Sequence, residues 1–384
     1  MKNNFNFKIV GSGPTGLLLS IALAKFDCNI FLTDLLPKDR LIDKDKTYAI
    51  THSTRKILSK FRLWEKLEPY LFGFDTLSIS DSVTSAVTNL TVSDLDDDIR
   101  SLENIGWVVK HSDLISVFFQ EIDNYDNIFF MTPQNLLNTK IIFDYQFFST
   151  GANSLDKKLF NFFDIKKSYY QSCLTFKISL RGNCEKRAYE IFREEGPLAL
   201  LPLEKNLYQV IWTSSTIKSI ERLNSDKNFL MDNLSTILPV EFKIDQIIGE
   251  LNIFPVSLSM KFPFFDFKKF VFVGDSFHTF HPVGGQGLNS CWRDVNAIFD
   301  LFNKNTAITK MQLTLFKFKY FTSRFLDIIL TMLITDSLIS IFANRNLFLF
   351  PIRKISFLLL NNFLFIRKLI LNQMTKSIIY SRIK

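Results

Sequence analysis

The chain has 384 residues, of which 47% are hydrophobic and 22% are charged, and its formal net charge is +8 at pH 7. This length predicts two or three domains, and the apolar fraction excludes a disordered chain. The four cysteines form no C-x-x-C pair, and the four histidines show no metal-ligand spacing. We therefore expect a protein of a reducing cytosol without a disulfide framework, and we predict no metal site.

The first predicted strand and helix flank a glycine-rich turn. Residues 7–10 are typical of a short buried strand, and residues 17–25 are typical of a helix. The sequence between them is Gly11-Ser12-Gly13-Pro14-Thr15-Gly16. This G-x-G-x-x-G pattern stands in the strand, turn and helix order that a dinucleotide site requires. Gly11 permits the tight turn, Gly13 lets a pyrophosphate approach the backbone, and Gly16 lets the helix pack on the strand.

An acidic residue follows the second predicted strand. That strand covers residues 29–33 and ends at Asp34, roughly 20 residues beyond the first glycine, as the dinucleotide fingerprint expects. A carboxylate at this place accepts hydrogen bonds from a ribose diol and repels a 2′-phosphate. The pattern therefore favours FAD or NAD over NADP. The alternative interpretation is an ordinary glycine-rich turn.

The elements that follow alternate between helical and strand-like segments. Further helices are predicted over residues 54–66, 113–121, 221–238 and almost continuously from 289 onward. Further strands are predicted over residues 77–80, 86–92, 141–148 and 269–273, with a run of alternating strands over 172–212 and an acidic turn at 94–98. This order predicts an α/β protein in which an antiparallel-sheet domain interrupts a Rossmann-like dinucleotide-binding domain, followed by C-terminal helices.

The domain boundaries follow from this alternation. We assign residues 1–70, 101–170 and 264–310 to the dinucleotide-binding domain. We assign residues 71–100 and 171–263 to the sheet domain, and residues 311–384 to a C-terminal helical region.

A second glycine-rich loop follows the strand at residues 269–273. It begins with Gly274-Asp275 and ends with Pro282-Val283-Gly284-Gly285-Gln286-Gly287-Leu288-Asn289. A carboxylate at a strand end can hold a polyol hydroxyl, and a glycine-rich loop entering a helix presents N–H groups to an anion. If the ligand is FAD, these features suit the ribityl chain and the N1/C2=O edge of the flavin. The alternative is a purely structural loop between strand and helix.

The C-terminal region is basic and apolar. After Asp336 the sequence contains no Asp or Glu and eight Lys or Arg residues, among many Leu, Ile and Phe. Such a tail suits the surface of an anionic membrane. The alternative is a set of helices packed on the protein's own core, with solvated lysines. A transmembrane span is not expected, because residues 325–342 carry two aspartates and residues 355–366 are too few to cross.

These motifs resemble those of the FAD-dependent hydroxylases of ubiquinone biosynthesis, within the single-component aromatic flavin monooxygenases, over nearly the whole chain. The resemblance is carried by the first glycine motif, by residues 49–58 with Leu63-Trp64, and by three more specific stretches. Those stretches are residues 196–203 (GPLALLPL), residues 274–289 with Arg293-Asp294, and Arg324, Asp327, Thr335-Asp336 and Leu338.

The resemblance implies a function and a set of cofactor-binding residues. It implies FAD as cofactor, NADH or NADPH as electron donor, and hydroxylation by O2 of the aromatic ring of a polyprenylated ubiquinone precursor. No catalytic acid or base is assigned, because the flavin supplies the chemistry. The implied FAD-binding residues are Gly11, Gly13, Pro14, Thr15, Gly16, Asp34, Lys46, Gly274, Asp275, Pro282, Gly285, Gln286, Gly287, Leu288 and Asn289.

The resemblance also bears on location and partners. A polyprenyl-phenol substrate implies a cytoplasmic protein at the inner face of the cytoplasmic membrane, in peripheral contact through the basic tail. A signal peptide is not expected, because glycines and Pro14 interrupt the first apolar stretch and no cleavage site follows. A quinone-biosynthesis complex is a further expected partner. Nucleic acid is not, since no aromatic and basic groove motif accompanies the charge.

Four positions depart from the family pattern. Lys46 and Ser112 stand where the family has arginine, Thr150 stands where it has aspartate, and Cys291 stands where it has glycine. Lysine keeps the charge but not the bidentate fork of arginine. The departures leave two alternatives open. One is a non-catalytic family member that acts as a binding or scaffold protein in quinone synthesis, and the other is a flavin oxidoreductase that does not insert oxygen.

Overall fold

The computed structural model describes residues 5–152, 163–182, 186–240, 242–262, 269–303 and 310–376. Of the features discussed above, Cys184, the basic residues Arg382 and Lys384, and residues 304–309 and 377–384 of the predicted C-terminal helical stretch lie outside these ranges.

The strands, in chain order, are β1 (Phe5–Val10), β2 (Cys28–Thr33), β3 (Thr47–Ile50), β4 (Phe72–Phe74), β5 (Thr76–Asp81), β6 (Ala86–Thr91), β7 (Gly106–Lys110), β8 (Ile128–Met131), β9 (Tyr145–Phe148), β10 (Phe163–Arg181), β11 (Arg187–Phe192), β12 (Leu198–Glu204), β13 (Leu207–Ser215), β14 (Lys243–Phe262), β15 (Phe270–Phe272) and β16 (His278–Thr279). The helices are α1 (Pro14–Leu23), α2 (Lys38–Ile42), α3 (His52–Lys60), α4 (Trp64–Leu67), α5 (Asp97–Arg100), α6 (His111–Ile122), α7 (Pro133–Asn138), α8 (Thr216–Leu223), α9 (Lys227–Ser235), α10 (Gln286–Asn303), α11 (Lys310–Phe342), α12 (Phe350–Asn362) and α13 (Leu364–Lys376).

The first sheet is parallel and has the strand order β15-β9-β1-β2-β8. Its strands are short and rich in Phe and Ile, and Phe7 and Ile9 of the central strand are fully buried. Helices α1, α6 and α10 pack against one another beside it. Because the carboxyl ends of parallel strands meet at one edge, the turns after β1, β2, β9 and β15 gather there.

The second sheet has eight strands in the order β16-β14-β10-β13-β12-β11-β5-β6. All neighbours are antiparallel except β11 and β5, which run parallel. One face packs on α9, where Trp212 and Leu230 are fully buried in a common apolar cluster. Residues of the opposite face line a cavity together with the loop after β15. A small third sheet, β3-β7-β4, contributes its first strand to the same cavity.

The predicted fold class is confirmed, with corrections to single elements. The helix predicted over 54–66 breaks between α3 and α4, because Arg62 adopts a left-handed conformation with a φ of 60°. The helix predicted over 221–238 is two helices, since Asp226 caps a new one by accepting from the backbone N–H of Asn228. The predicted strand over 141–148 is shorter and begins at Tyr145, and the acidic turn at 94–98 leads into the short helix α5.

The sequence did not predict six of the described strands: β3, β4, β7, β8, β14 and β16. The longest of them, β14, contains Pro255 and lacks strict alternation, yet it pairs along nearly all of β10. That pairing joins residues far apart in sequence, which local periodicity does not report. No observation tests the domain boundaries, and these stay a prediction.

The C-terminal helices pack on the body of the protein. Phe357 of α12 and Leu371 of α13 are buried in its apolar clusters. Four cations of these helices and the turn before them pair with acidic groups of the body: Arg345 with Glu194, Arg353 with Asp81, Arg367 with Asp94, and Lys376 with Asp96 and Asp98. Much of the tail's positive charge is therefore already compensated within the chain.

Candidate functional site

Close packing explains two of the three glycines in the first turn. Gly11 has a φ of +103°, and a Cβ there would lie 2.5 Å from the carbonyl oxygen of Ser149. A Cβ on Gly16 would lie 1.8 Å from the carbonyl oxygen of Gly11. Gly13 differs, because a Cβ there would have no neighbour within 4 Å. The structure therefore leaves open space at the glycine where a pyrophosphate is expected to approach.

The N-terminus of α1 is available to an anion. Gly13 is its N-cap, Pro14 occupies the first helical position, and no side chain caps the helix. The first intrahelical bond runs from Leu17 N–H to the carbonyl of Gly13. The N–H groups of Thr15 and Gly16 therefore have no partner within the helix, and the helix dipole favours negative charge beside them.

Asp34 is fixed at the end of β2 by two backbone hydrogen bonds. Its Oδ2 accepts from Ser12 N–H at 2.6 Å, and its Oδ1 accepts from Leu36 N–H at 3.0 Å. A carboxylate has about four lone-pair positions. Two backbone bonds orient the group and leave capacity for the hydroxyls of a ribose.

The second glycine-rich loop is held in place by a buried ionic network. Asp294 Oδ2 accepts from the backbone N–H of Gly274 at 2.9 Å and contacts His278 Nε2 at 2.9 Å. Its Oδ1 accepts from Arg324 Nε at 2.6 Å, and Arg324 also donates to Asp327. Burial would raise the pKa of Asp294, but His278 and Arg324 outweigh it and leave the pKa lowered. The Arg-Asp motif thus positions the turn that presents Asp275.

Asp275 and Lys46 lie in the same cavity. Solvent reaches both side chains through its opening, although protein surrounds them on the other sides. This partial burial raises the pKa of Asp275 and lowers the pKa of Lys46, and the opposite charge of each residue counteracts the shift of the other. Water weakens both effects in the open cavity, and a ligand that displaced this water would strengthen them.

The cavity has a volume of about 340 Å³. One wall is the inner face of the large sheet, with Thr175, Leu201, Gln209, Ile211, Phe254 and Val256. The other is formed by strand β3 and the second glycine-rich loop, with Tyr48, Asp275, Pro282, Gly285, Gly287 and Leu288. A mainly apolar cavity with a few polar groups, at an edge where strands of a parallel sheet end, is the usual place of a small-molecule site.

Two titratable groups beside the cavity are held neutral. The Tyr48 hydroxyl lies 2.8 Å from His111 Nδ1, and His111 Nε2 lies 2.7 Å from the carbonyl oxygen of Leu41. Burial lowers the pKa of His111 to about 4, and burial together with the nearby Asp275 raises the pKa of Tyr48. Both groups therefore act as neutral hydrogen-bonding partners near neutral pH.

The side chains of two predicted site residues bond within the protein. Asn289 donates from Nδ2 to the carbonyls of Ala49 and Gly285, and its Oδ1 accepts from Thr51 and Thr54. Gln286 donates to the carbonyls of Gly284 and Met374. These amides fix the loop against α3 and α13. No observation tests their contact with a ligand, nor that of the other predicted residues.

Two of the four departures have local partners that suit the new residue. Thr150 Oγ1 lies 3.2 Å from Ser276 Oγ, so a neutral hydroxyl pair joins the end of β9 to the loop after β15. The Cys291 thiol donates to Asp275 Oδ1 at 3.3 Å, and burial raises the pKa of this thiol. Ser112 lies in the first turn of α6, beside His111.

His281 has an ordinary hydrogen-bonding role. Its Nδ1 accepts from Val283 N–H, and its Nε2 lies 3.4 Å from Gln171 Oε1. Burial lowers its pKa to about 3. The sequence missed the sheet wall of the cavity, above all Gln209 and Phe254. Alternation along the strand ending at residue 212 could have indicated Gln209, whereas Phe254 lies on the unpredicted β14.

Comparison with known proteins agrees with this geometry. No protein-family model matches the chain. It is 28% identical over 316 residues to an uncharacterized protein of Synechocystis, covering 77% of this chain and 74% of that one. It is 21% identical over 319 residues to the 3-demethoxyubiquinol 3-hydroxylase of Escherichia coli, covering 76% and 78%. The chain is a distant relative of the ubiquinone-biosynthesis monooxygenases. The predicted resemblance to this family is confirmed at low identity by the relatives that carry such names, and these relatives agree with the predicted enzyme class, a monooxygenase.

The fold is that of flavin-dependent monooxygenases. The structure of Klebsiella pneumoniae HpxO, complexed with FAD and uric acid, superposes with a TM-score of 0.73 at 13% identity, covering 99% of this chain and 98% of that one. At this identity the similarity concerns the fold. It agrees with a parallel sheet beside a large antiparallel sheet.

Proposed function

We propose that this protein is an FAD-dependent monooxygenase that hydroxylates the aromatic ring of a polyprenylated ubiquinone precursor, with NADH or NADPH as electron donor and O2 as oxidant. The observation that carries the proposal is the position of the apolar cavity. It opens between the inner face of the large sheet and the loop expected to frame a flavin. A planar ring can occupy it beside that loop.

The residues present fit FAD. The open space at Gly13 and the uncapped N-terminus of α1 suit a pyrophosphate. The fixed carboxylate of Asp34 suits the hydroxyls of the adenosine ribose, and Asp275 suits those of the ribityl chain. Gly285 has a φ of +62° and Gly287 has open space where a Cβ would stand, so backbone can approach the flavin closely.

FAD, when bound, supplies electron transfer and oxygen activation. The protein's share is binding, orientation and exclusion of water. Leu201, Ile211 and Phe254 give the cavity an apolar lining, which keeps water from the reacting ring. Gln209 has little freedom to move, because its Nε2 donates to the carbonyls of Phe176 and Val210, and its Oε1 accepts from Thr47. The side-chain amide of Gln209 therefore offers a fixed hydrogen-bonding partner that orients a phenolic hydroxyl, and it transfers no proton.

The proposal is tested by product analysis. The purified protein, supplied with FAD and NADH or NADPH, is given a polyprenyl phenol with a shortened tail, and O2 uptake and the hydroxylated product are measured. An Ile211→Trp variant fills the cavity, and Ile220→Trp, at an exposed position on α8, is its control. We expect product from the wild type and the control, and flavin binding without product from Ile211→Trp.

The other readings have distinct outcomes in the same experiment. Oxidation of NADH or NADPH that reduces an added quinone as electron acceptor, without O2 uptake, would assign the protein to the flavin oxidoreductases that do not insert oxygen. A folded protein that binds no flavin would favour the non-catalytic alternative.

A further inference from the structure

Exposed apolar side chains are concentrated in the C-terminal helices. Among the described residues, more than half of the exposed large apolar side chains lie between Leu315 and Leu369. The most exposed of these are Leu347 at 83%, Phe348 at 89% and Phe365 at 74%. Monomeric soluble proteins rarely display so many such side chains in one region, and a concentration of this kind marks an interaction surface.

These three most exposed side chains lie at two corners of the region. Leu347 and Phe348 occupy the turn between α11 and α12, and Phe363, Leu364 and Phe365 occupy the junction of α12 and α13. The two helices meet there at a bend of 101°. We call these five residues the corner surface. The opposite sides of α12 and α13 are already packed on the body, so the core does not account for the corner surface.

One helix of this region, residues 313–342 of α11, is long and apolar enough to cross a membrane by length and composition, with 39% of its most apolar window buried. Its buried side holds Arg324 and Asp327, which bond to each other and to α10. Because ion pairs bind this side of α11 to the rest of the protein, we interpret α11 as a core helix rather than a membrane span. Contact with a membrane surface would then use the exposed apolar side chains of the region, of which Leu347, Phe348 and Phe365 at the corners are the most exposed.

The positive charge of the C-terminal helices favours an anionic partner. No acidic residue follows Asp336. The body's own carboxylates compensate four cations, while Lys354 is exposed on α12, between the two corners. A second copy docking symmetrically would bring Lys354 close to its own equivalent without a facing carboxylate from this region. An anionic bilayer offers both an apolar interior for the corner surface and negative charge for the lysine.

We propose that the corner surface inserts into the headgroup and upper acyl region of an anionic lipid bilayer and holds the protein there as a peripheral protein. The binding rests on residues 347–365 and does not depend on flavin or turnover. Its purpose rests on the proposed function, since a polyprenylated substrate resides in the bilayer and must be taken from it.

Vesicle flotation tests this proposal with the full-length protein. The vesicles are phosphatidylcholine with or without phosphatidylglycerol. A Phe348→Ser/Phe365→Ser variant removes two protruding rings, and its control, Leu137→Ser/Ile142→Ser, changes two side chains of similar exposure far from the corners in sequence. We expect the wild type and the control to float with the anionic vesicles. The Phe variant should lose affinity roughly tenfold or more, because each inserted ring contributes apolar burial.

A Lys354→Ala variant measures the electrostatic contribution. We expect its affinity for anionic vesicles to fall about fivefold, with little change on phosphatidylcholine alone. The proposal is overturned if the wild type floats with neither vesicle, or if the Phe variant floats as well as its control. Light scattering that shows a dimer abolished by the Phe variant would instead assign the surface to a second copy.

Flavin content and hydroxylation are measured on the same samples. Normal hydroxylation without flotation would refute the lipid surface and leave the proposed function intact. Flotation of a protein that binds no flavin would support the lipid surface and refute the proposed function.

Discussion

The glycine turn offers a direct separation of ligand binding from folding. Gly13→Ala adds a methyl group where the structure has no neighbour within 4 Å, at a φ of −73° that any residue adopts. Alanine is a poorer N-cap than glycine, which costs about 0.5–1 kcal/mol, but it also restricts the unfolded chain, which returns about 0.4–1 kcal/mol, so we expect the free energy of unfolding of the ligand-free protein to change by less than about 1 kcal/mol. The methyl group would, however, occupy the space assigned to the pyrophosphate.

The expected loss of FAD affinity follows from the hydrogen bonds at stake. Displacing the pyrophosphate from the N–H groups of Thr15 and Gly16 removes charge-assisted bonds that are each worth about 1.5–3 kcal/mol. Loss of one such bond weakens binding roughly 10- to 150-fold. Flavin fluorescence titration measures the affinity, and urea unfolding of the apoprotein measures the stability.

Gly16→Ala is the matched control. Its methyl group would lie 1.8 Å from the carbonyl oxygen of Gly11, so α1 must move away from β1. Overpacking of this kind costs about 1–3 kcal/mol or more, and we expect the variant to be destabilised with or without flavin. If Gly13→Ala bound FAD as tightly as the wild type, the pyrophosphate would not pass this glycine and the site would be placed wrongly.

Two further predictions concern the buried charges. Asp294→Ala leaves Arg324 without one of its two carboxylate partners, and we expect it to lower the free energy of unfolding in urea by roughly 3–5 kcal/mol. Its control is Asp300→Ala, which breaks a surface pair with Lys60 and should lower that free energy by less than about 1 kcal/mol. Equal losses in the two variants would contradict the buried network. Burial raises the pKa of Glu190 from 4.5 to about 7, although the backbone N–H of Gly284 opposes the shift. Because the pKa is higher in the folded state, ionisation of this carboxyl group lowers the free energy of unfolding as pH rises from 4.5 through 7. The free energy of unfolding of Glu190→Gln should therefore exceed that of the wild type by up to about 3 kcal/mol at pH 8 and by nothing at pH 4. A pH-independent difference would refute the assigned burial.

The first glycine motif could be predicted in detail because its strand, turn and helix unit has a strong sequence pattern. The contact that explains Gly16 lies inside this unit, at the carbonyl of Gly11, whereas Gly11 itself packs on Ser149 from a distant part of the chain. Asp34 is fixed by Leu36, two residues away, and by Ser12 of the glycine turn. The order of α/β and sheet segments followed from periodicity, which local composition also determines.

The cavity wall could not be predicted in the same way. Gln209 and Phe254 share a wall only because β10 pairs with both β13 and β14. Thr47 reaches Gln209 from the separate sheet of β3, through a hydrogen bond between the two side chains. The register of those strands is set by the whole sheet rather than by any segment of it. The amides of Gln286 and Asn289 show a related limit, because a motif marks their importance without indicating whether they hold a ligand or the protein itself.

The tail shows how a charge count can mislead. The sequence contains eight cations after Asp336, but in the structure four of them face carboxylates of the body. Among the tail residues that the structure describes, the side chains that remain exposed are mainly apolar. The membrane proposal therefore rests on the corner surface more than on net charge.

The measurement that tests the central claim most directly is the visible absorbance spectrum of the purified protein, with the flavin released by denaturation counted against the protein. We predict a flavin spectrum and near-stoichiometric FAD, because the open Gly13 turn, the fixed carboxylate of Asp34 and Asp275 suit the parts of FAD that we propose they bind, despite Ser112 and Thr150. A folded sample that binds no FAD, even when FAD is added, would contradict the account.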